Sequence, residues 1–284
     1  MFAFALAACD SARATSTPGT SASALVRARP YAMYVPAKHE ASAPLLVLMH
    51  GYGSDHANVE TYLRADALSE AHGVYVALPD GTMDPNGHRF WNATDSCCNF
   101  HELPVDDVAY LDALLDDALA RYPIDPSRVY VAGFSNGGFM AHRYACERAE
   151  RIAGAVSFAG EPWKDAARCK PRVPVTLLQI HGDADPIVTY SGGRPSDGAF
   201  RGPEFAKAGP YPAARDGIAM WARLDGCPTP TDTDDAREET LRYGPCAEGT
   251  EVQLWTRHGQ PHVLAWSRED GERMWALLSA HARK

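Results

Sequence analysis

The sequence lacks any apolar run of the ~18–20 residues that a membrane-crossing helix needs, and it lacks a cluster of Lys and Arg. The first lack excludes a helical span as the organising element of this stretch. The second, with a net charge of −9, argues against a nucleic-acid partner, which a basic patch would have to meet. There is no Cys-x-x-Cys pair. The one His-x-x-x-His pair, His258 and His262, sits in a Gly-Pro loop with no Cys or second His pair nearby. Two rings four residues apart share a face only on a helix, so no metal site and no cofactor are expected. No internal repeat is visible, which excludes a propeller or solenoid.

What is present is a chain of 284 residues, 45% hydrophobic, enough for one large core. Apolar stretches alternate between strand and helix patterns. Residues 31–35 read as an edge strand, and 45–49 as an unbroken apolar run of the kind a buried parallel strand shows. Residues 58–72 carry apolar positions at helical spacing, and 74–78 form the next strand. Residues 82–105 have no period, and a loop that long inside a compact domain is usually functional. The segment 106–122 is a strong amphipathic helix with Asp106 and Asp107 at its start, where they complement the helix dipole. Further strands are predicted at 129–132, 155–158, 175–180 and 252–255, and helices at 139–148, 213–224 and 270–282. Residues 190–212 read as loop. The order fits a doubly wound, mostly parallel sheet with helices on both faces.

Seven cysteines are many for a cytosolic chain. Cys9 closes Leu6-Ala7-Ala8-Cys9, which resembles the lipobox of bacterial lipoproteins, although no basic residue precedes the apolar run. Residues 1–29 are therefore read as an export or lipoprotein-like signal and a Ser/Thr/Ala-rich flexible tether, and 30–284 as a single catalytic domain. A secreted or cell-envelope location is expected, with membrane anchoring only through a lipidated Cys9. The remaining six cysteines suggest three disulfides. A bridge between neighbours Cys97 and Cys98 would be strained, so each is expected to reach a separate partner, Cys146 or Cys169. Cys227 is expected to pair with Cys246.

One stretch organises the rest: Val129-Tyr130-Val131-Ala132-Gly133-Phe134-Ser135-Asn136-Gly137-Gly138. A strand turning sharply into a helix through Gly-x-Ser-x-Gly is the pattern of a nucleophile elbow. The turn forces the serine into a strained backbone conformation, and side chains on its neighbours would clash. A serine hydroxyl is too weak an acid to attack an ester alone. It needs a base, a group to orient the base, and donors for the oxyanion. The chain supplies these in the order Ser, acid, His. His262 is read as the base, with His258 as competitor. Asp185, on the loop after a buried strand, is read as the acid, with Asp183 as alternative. The backbone N–H groups of Tyr52 and Asn136 are read as the oxyanion hole, with His50 and Gly51 shaping the loop. Trp91, Trp163 and Trp266 lie in loops near predicted C-terminal strand ends, where open α/β sheets bind ligands, and are read as substrate-pocket residues.

The segments His50-Gly51-Tyr52-Gly53, Trp91 with Cys97-Cys98, Val105-Asp106-Asp107-Val108, the elbow and its upstream Asp125-Pro126-Ser127-Arg128, Ala145-Cys146-Glu147, His181-Gly182-x-x-Asp185 and Gly226-Cys227 together resemble the polyhydroxybutyrate depolymerase and feruloyl esterase group of α/β-hydrolases. The likeness covers roughly residues 30–284. One departure is the His segment: Gln260-Pro261 precedes His262 and the Trp follows four residues later, where the group usually has Gly-Gly-His-x-Trp-Pro. The resemblance implies an α/β-hydrolase fold and a cofactor-free, monomeric serine esterase. Its substrates would be small or polymeric esters: hydroxyalkanoate or aromatic polyesters, feruloyl esters or, alternatively, acetylated xylan. A serine peptidase of the prolyl oligopeptidase group shares the fold and a similar Asp loop, but the propeller repeats are missing.

Overall fold

The structure is a computed structural model and describes residues 22–195 and 205–283. Its centre is a nine-stranded sheet. The strands in chain order are β1 (Tyr31–Tyr34), β2 (Ala43–Met49), β3 (Tyr75–Pro79), β6 (Ile124–Phe134), β7 (Gly154–Phe158), β8 (Thr176–Gly182), β9 (Thr231–Asp234), β10 (Glu238–Tyr243) and β11 (Val252–Arg257). A separate two-stranded ribbon is made by β4 (Thr82–Met83) and β5 (Arg89–Phe90). The sheet order is β1-β3-β2-β6-β7-β8-β11-β10-β9. The six inner strands from β3 to β11 run parallel. The edges β1, β10 and β9 are antiparallel.

The helices are α1 (Ala22–Ala28), α2 (His56–Leu63), α3 (Ala65–His72), α4 (Asp107–Arg121), α5 (Asn136–Arg148), α6 (Ala214–Leu224) and α7 (Arg268–Ser279). Strand β2 shows how two faces arise from one apolar run. Leu45, Val47 and Met49 join a core with residues of α4, α5 and α6, while Leu46 and Leu48 join one with residues of α2, α3 and α7. A central strand covered on both faces has no polar side, which is why its sequence does not alternate.

Local chemistry sets the helix ends. Asp106 caps α4 by accepting from the Ala109 N–H at 3.0 Å. Ser267 and Asp270 form a reciprocal capping box at the start of α7, which satisfies two otherwise orphaned donors.

The structure departs from expectation at four places. The helix predicted over 58–72 is two helices, broken at Arg64, whose φ of 54° is left-handed. The periodicity runs through the break, so it is invisible to spacing. The tether read up to residue 29 ends in α1, which packs on α4. There the Arg29 guanidinium lies 3.5 Å from the Tyr110 ring centroid and 2.7 Å from Asp107. The β9–β10 hairpin was not predicted: β9 is Thr-Asp-Thr-Asp and fully exposed, so its ladder alone makes it a strand. Finally, Cys97 and Cys98 are bonded to each other, because Cys146 on α5 is taken by Cys169. Cys227 pairs with Cys246 as expected. Cys9 lies outside the described residues. No helix among the described residues is long and apolar enough to cross a membrane.

Candidate active site

At the end of β6 the backbone turns through Ser135 with φ 53° and ψ −116° and enters α5 directly. Two close approaches make this turn possible only with glycine. A Cβ on Gly133 would lie 2.2 Å from the Gly137 carbonyl carbon, and one on Gly137 would lie 2.3 Å from the Met49 carbonyl oxygen. The Ser135 N–H donates to the Phe158 carbonyl at 2.7 Å, and the Phe139 N–H donates to the Ser135 carbonyl at 3.0 Å. The strained residue is thus held from both sides, at the positive end of a helix dipole.

The loop after β11 brings His262 back over the elbow, its ring 5.0 Å from that of Phe134. The loop after β8 meets it. A Cβ on Gly182 would stand 2.2 Å from the Gln260 carbonyl oxygen, so these loops touch backbone to backbone. His262 Nδ1 lies 2.7 Å from Asp185 Oδ2. Asp185 Oδ1 accepts from the N–H groups of Ile187 at 2.8 Å and Val188 at 3.0 Å. Burial alone would raise the Asp185 pKa, but hydrogen bonds from His181 and His262 outweigh it and hold the carboxyl well below the usual range. An ionised Asp185 fixes the proton of neutral His262 on Nδ1 and leaves Nε2 as the basic atom.

The competing residues form a different pair. His258 Nδ1 lies 2.9 Å from Asp183 Oδ2, and its Nε2 lies 2.9 Å from Asp234 Oδ1. Those hydrogen bonds push its pKa up to about 9. At neutral pH His258 is a cation clamped between two carboxylates beside the β9–β10 hairpin, unsuited to act as a base.

The His50-Gly51-Tyr52 loop crosses the start of α5. A Cβ on Gly51 would lie 3.4 Å from Ser135 Cβ. His50 is fully buried. Its Nε2 accepts from the Gly81 N–H at 2.9 Å, so Nδ1 carries the proton and donates to the Gly51 carbonyl at 2.7 Å. Burial lowers its pKa and keeps it neutral. The Tyr52 hydroxyl donates to Asp84 Oδ2 at 2.6 Å. Asn136 is the first residue of α5, where backbone N–H groups have no intrahelical acceptor. Its side chain accepts from the Trp91 N–H at 2.7 Å and donates to the Trp91 carbonyl at 2.9 Å. The elbow and the loop after β5 are therefore joined by a buried amide pair.

Two of the three tryptophans are buried, and the third borders a cleft that Ser135 does not line. Trp91 is 0% exposed; its Nε1 donates to the His50 carbonyl at 3.0 Å, which makes it a core strut for the His50-Gly51-Tyr52 loop. Trp163 is buried beneath Arg168. Trp266 packs edge-on against Phe158 and borders a cleft of about 860 Å³ whose walls include Asp234, His258 and Arg273 but none of Ser135, Asp185 or His262. Loop position at a strand end placed these rings near the site, but a large apolar side chain next to a core tends to turn inward. Sequence reading also passed over Asp84, Glu161 and the contacts of His181. Among the described residues no group of three or more His, Cys, Asp or Glu could hold a metal ion.

Comparison with known proteins agrees with this architecture. Feruloyl esterase B of Piromyces equi is 28% identical over 240 residues, which are 84% of this chain and 42% of that protein. Poly(3-hydroxyalkanoate) depolymerase C of Paucimonas lemoignei is 34% identical over 139 residues, 47% of this chain and 31% of that one. The chain thus spans less than half the length of these two curated relatives. The solved acetyl xylan esterase from Aspergillus awamori superposes with a TM-score of 0.63 at 15% identity, covering 87% of this chain and 92% of the other, a likeness of fold. The family described as phospholipase/carboxylesterase matches residues 31–199, more than half of the sequence, and the chain belongs to that family of α/β-hydrolases.

Proposed function

We propose that the protein hydrolyses carboxylic esters through an acyl-enzyme on Ser135. The observation that carries this reading is the 2.7 Å contact of His262 Nδ1 with a buried, ionised Asp185 beside a serine held at φ 53°. In the first half-reaction His262 Nε2 takes the Ser135 proton as Oγ attacks the ester carbonyl. The tetrahedral oxyanion is met by the N–H groups of Tyr52 and Asn136, each worth about 3 kcal/mol in such a hole. Collapse expels the alcohol, which receives the proton from His262. Water, activated by the same imidazole, then cleaves the acyl-enzyme and restores Ser135.

The names of the relatives support esters of the feruloyl or hydroxyalkanoate type, with acetylated xylan as the alternative. Three disulfides support a secreted or cell-envelope location, since cytosolic proteins rarely keep them. Turnover of p-nitrophenyl acetate and labelling by a fluorophosphonate test the mechanism: both are expected to vanish in Ser135→Ala, and an active Ser135→Ala protein would end the proposal. Relative kcat/KM on ferulate esters, 3-hydroxybutyrate oligomers, acetylated xylan and terephthalate esters would assign the substrate class.

A further inference from the structure

Behind the Asp185–His262 pair lies a second buried layer. His181 and Glu161 are both fully buried. His181 Nε2 faces two acceptors, the Val188 carbonyl at 2.8 Å and Asp185 Oδ2 at 3.3 Å, so it carries a proton. His181 Nδ1 lies 3.1 Å from Glu161 Oε1, the same oxygen that accepts from Gln179 Nε2 at 2.6 Å. Another proton is therefore held in the Nδ1–Oε1 contact. Asp185 Oδ2 is shared by two imidazoles, His262 on one side and His181 on the other.

The backbone is shaped to deliver Glu161. Ala159, two residues earlier, has φ 51°, a strained conformation for a residue with a Cβ. Ser157 Oγ donates to the Gly160 carbonyl at 3.0 Å. A Cβ on Gly217 of α6 would come within 2.9 Å of Glu161 Oε2, so that helix leaves room for the carboxylate. Glu161 Oε2 has no hydrogen-bond partner among the described residues. A buried, half-satisfied carboxylate is costly, and an apolar replacement of such groups is often neutral or stabilising. That cost set against a triad points to a task at the site.

Resting on the serine-esterase reading above, we propose that Glu161 and His181 are positioning residues: they hold a proton against the same Asp185 oxygen that His262 uses, and so set the direction and strength with which Asp185 draws on His262. Burial alone would strip His181 of its charge, but the hydrogen bonds to Asp185 and Glu161 outweigh it and push its pKa up to about 9. The other groups around it do not supply that charge balance. His142 of α5 is pushed down to about 3 by burial and stays neutral. The Tyr190 ring stands 5.7 Å from His181, its hydroxyl paired with Thr256. Arg215 is taken by Glu239, and the Tyr211 hydroxyl bonds Thr189. The sign follows. A His raised above its ordinary value keeps its charge through neutral pH and loses it as pH rises through about 9, and Asp185 then loses the cation beside it.

The test is kcat/KM against pH for p-nitrophenyl acetate, in the wild type, Glu161→Gln, Glu161→Asp and His181→Gln, with ¹⁵N-histidine NMR titration of the full chain carrying Ser135→Ala. The wild type is expected to show an alkaline inflection near pH 9. Glu161→Gln should move that inflection down by a unit or more and cost roughly tenfold at pH 8, small beside the ~10²–10⁴ of full acid–base assistance. His181→Gln should remove the inflection, and Glu161→Asp should restore part of it. In the NMR arm the His181 resonances should titrate near 9 and fall when Glu161→Gln is added. A purely structural role would lower rates without moving the inflection, so an unmoved inflection in both variants overturns the proposal. A His181 that titrates below pH 7 in the folded Ser135→Ala protein overturns it without recourse to any Glu161 variant. Full turnover by Ser135→Ala would instead bring down the esterase reading, and the role with it.

Discussion

Replacing Asp185 by Asn tests the candidate site at its most determined point. The carboxylate accepts four contacts: Ile187 N–H at 2.8 Å and Val188 N–H at 3.0 Å on Oδ1, and His262 Nδ1 at 2.7 Å and His181 Nε2 at 3.3 Å on Oδ2. The two backbone donors fix the amide oxygen of an Asn at the Oδ1 position, so its NH2 must face both imidazoles. His181 keeps a partner in the Val188 carbonyl. His262 has none, and its lowest-energy response is to change tautomer, with Nδ1 accepting from the amide and the proton on Nε2. That puts a hydrogen where the Ser135 proton must go. The expected loss is about 10⁴ in kcat, roughly 5.5 kcal/mol at 1.36 kcal/mol per decade. The assay is kcat for p-nitrophenyl acetate, with a thermal melt to show that the variant is folded. Asp183→Asn is the control. Its partners are His258 and the Gly259 N–H, a contact that the Asn oxygen can keep, so less than a twofold change is expected. An Asp185→Asn enzyme within tenfold of wild type, or equal losses in the two variants, would refute the assignment of the acid.

The remaining predictions concern stability and the His50-Gly51-Tyr52 loop. Asp225 is buried with Oδ2 on the Val175 N–H at 3.2 Å, Oδ1 unpartnered among the described residues, and a pKa that burial pushes up to about 7. A carboxyl raised above its unfolded value costs nothing below pH ~4 and progressively more up to pH 7. Asp225→Asn should therefore raise the unfolding free energy at pH 8 and not at pH 4, by about 2 kcal/mol once the buried amide N–H₂ is charged against it, read from denaturation curves; a gain that is the same at both pH values would contradict this. Gly137→Ala drives a Cβ to 2.3 Å from the Met49 carbonyl oxygen, and soluble, native-melting protein from that variant would be unexpected. Breaking Cys227–Cys246, separated by 19 residues, removes a loop constraint worth about 3 kcal/mol, to be read as the fall in denaturation midpoint of the double Ala variant. Trp91→Phe deletes the donor to the His50 carbonyl and should lower kcat/KM with little change in fluorophosphonate-accessible fold, measured by melting and labelling together.

The inner sheet was legible because its signal is local. Runs such as Leu45-Leu46-Val47-Leu48-Met49 are apolar on both faces, and only a doubly covered strand has that need. The edge was not. Thr231-Asp232-Thr233-Asp234 has low strand propensity and no apolar face, and it pairs only because β10 offers it a ladder. The break at Arg64 is likewise a backbone event that leaves Val59, Leu63 and Leu68 all facing the same core. The disulfides divide the same way. Cys227 and Cys246 close a short segment, the β9–β10 hairpin, that the spacing displays, whereas the fate of Cys97 and Cys98 depended on Cys169 reaching Cys146 from a different segment.

The candidate site divides along the same line, with a sharper lesson. The candidates Ser135, Asp185 and His262 stand out because each sits in a motif whose backbone has a job of its own: a turn that tolerates only glycine neighbours, a strand end, a loop return. The residues that hold them have no such signature. Asn136 reads as a helix start, yet its side chain is spent on the Trp91 backbone 45 positions away. Trp91 reads as a pocket wall because it is aromatic and in a loop, yet it is buried, with its indole N–H donated to the His50 carbonyl. Glu161 stands before a proline in a short connection that carries no motif, yet it lies 3.1 Å from His181. In each case a polar atom without a signature in the sequence is claimed by another polar atom that folding has buried, because an unpaired one would cost more than the side chain's freedom. The candidate catalytic groups therefore stand out in one dimension, and the groups packed against them are found only where β6, β8 and β11 converge.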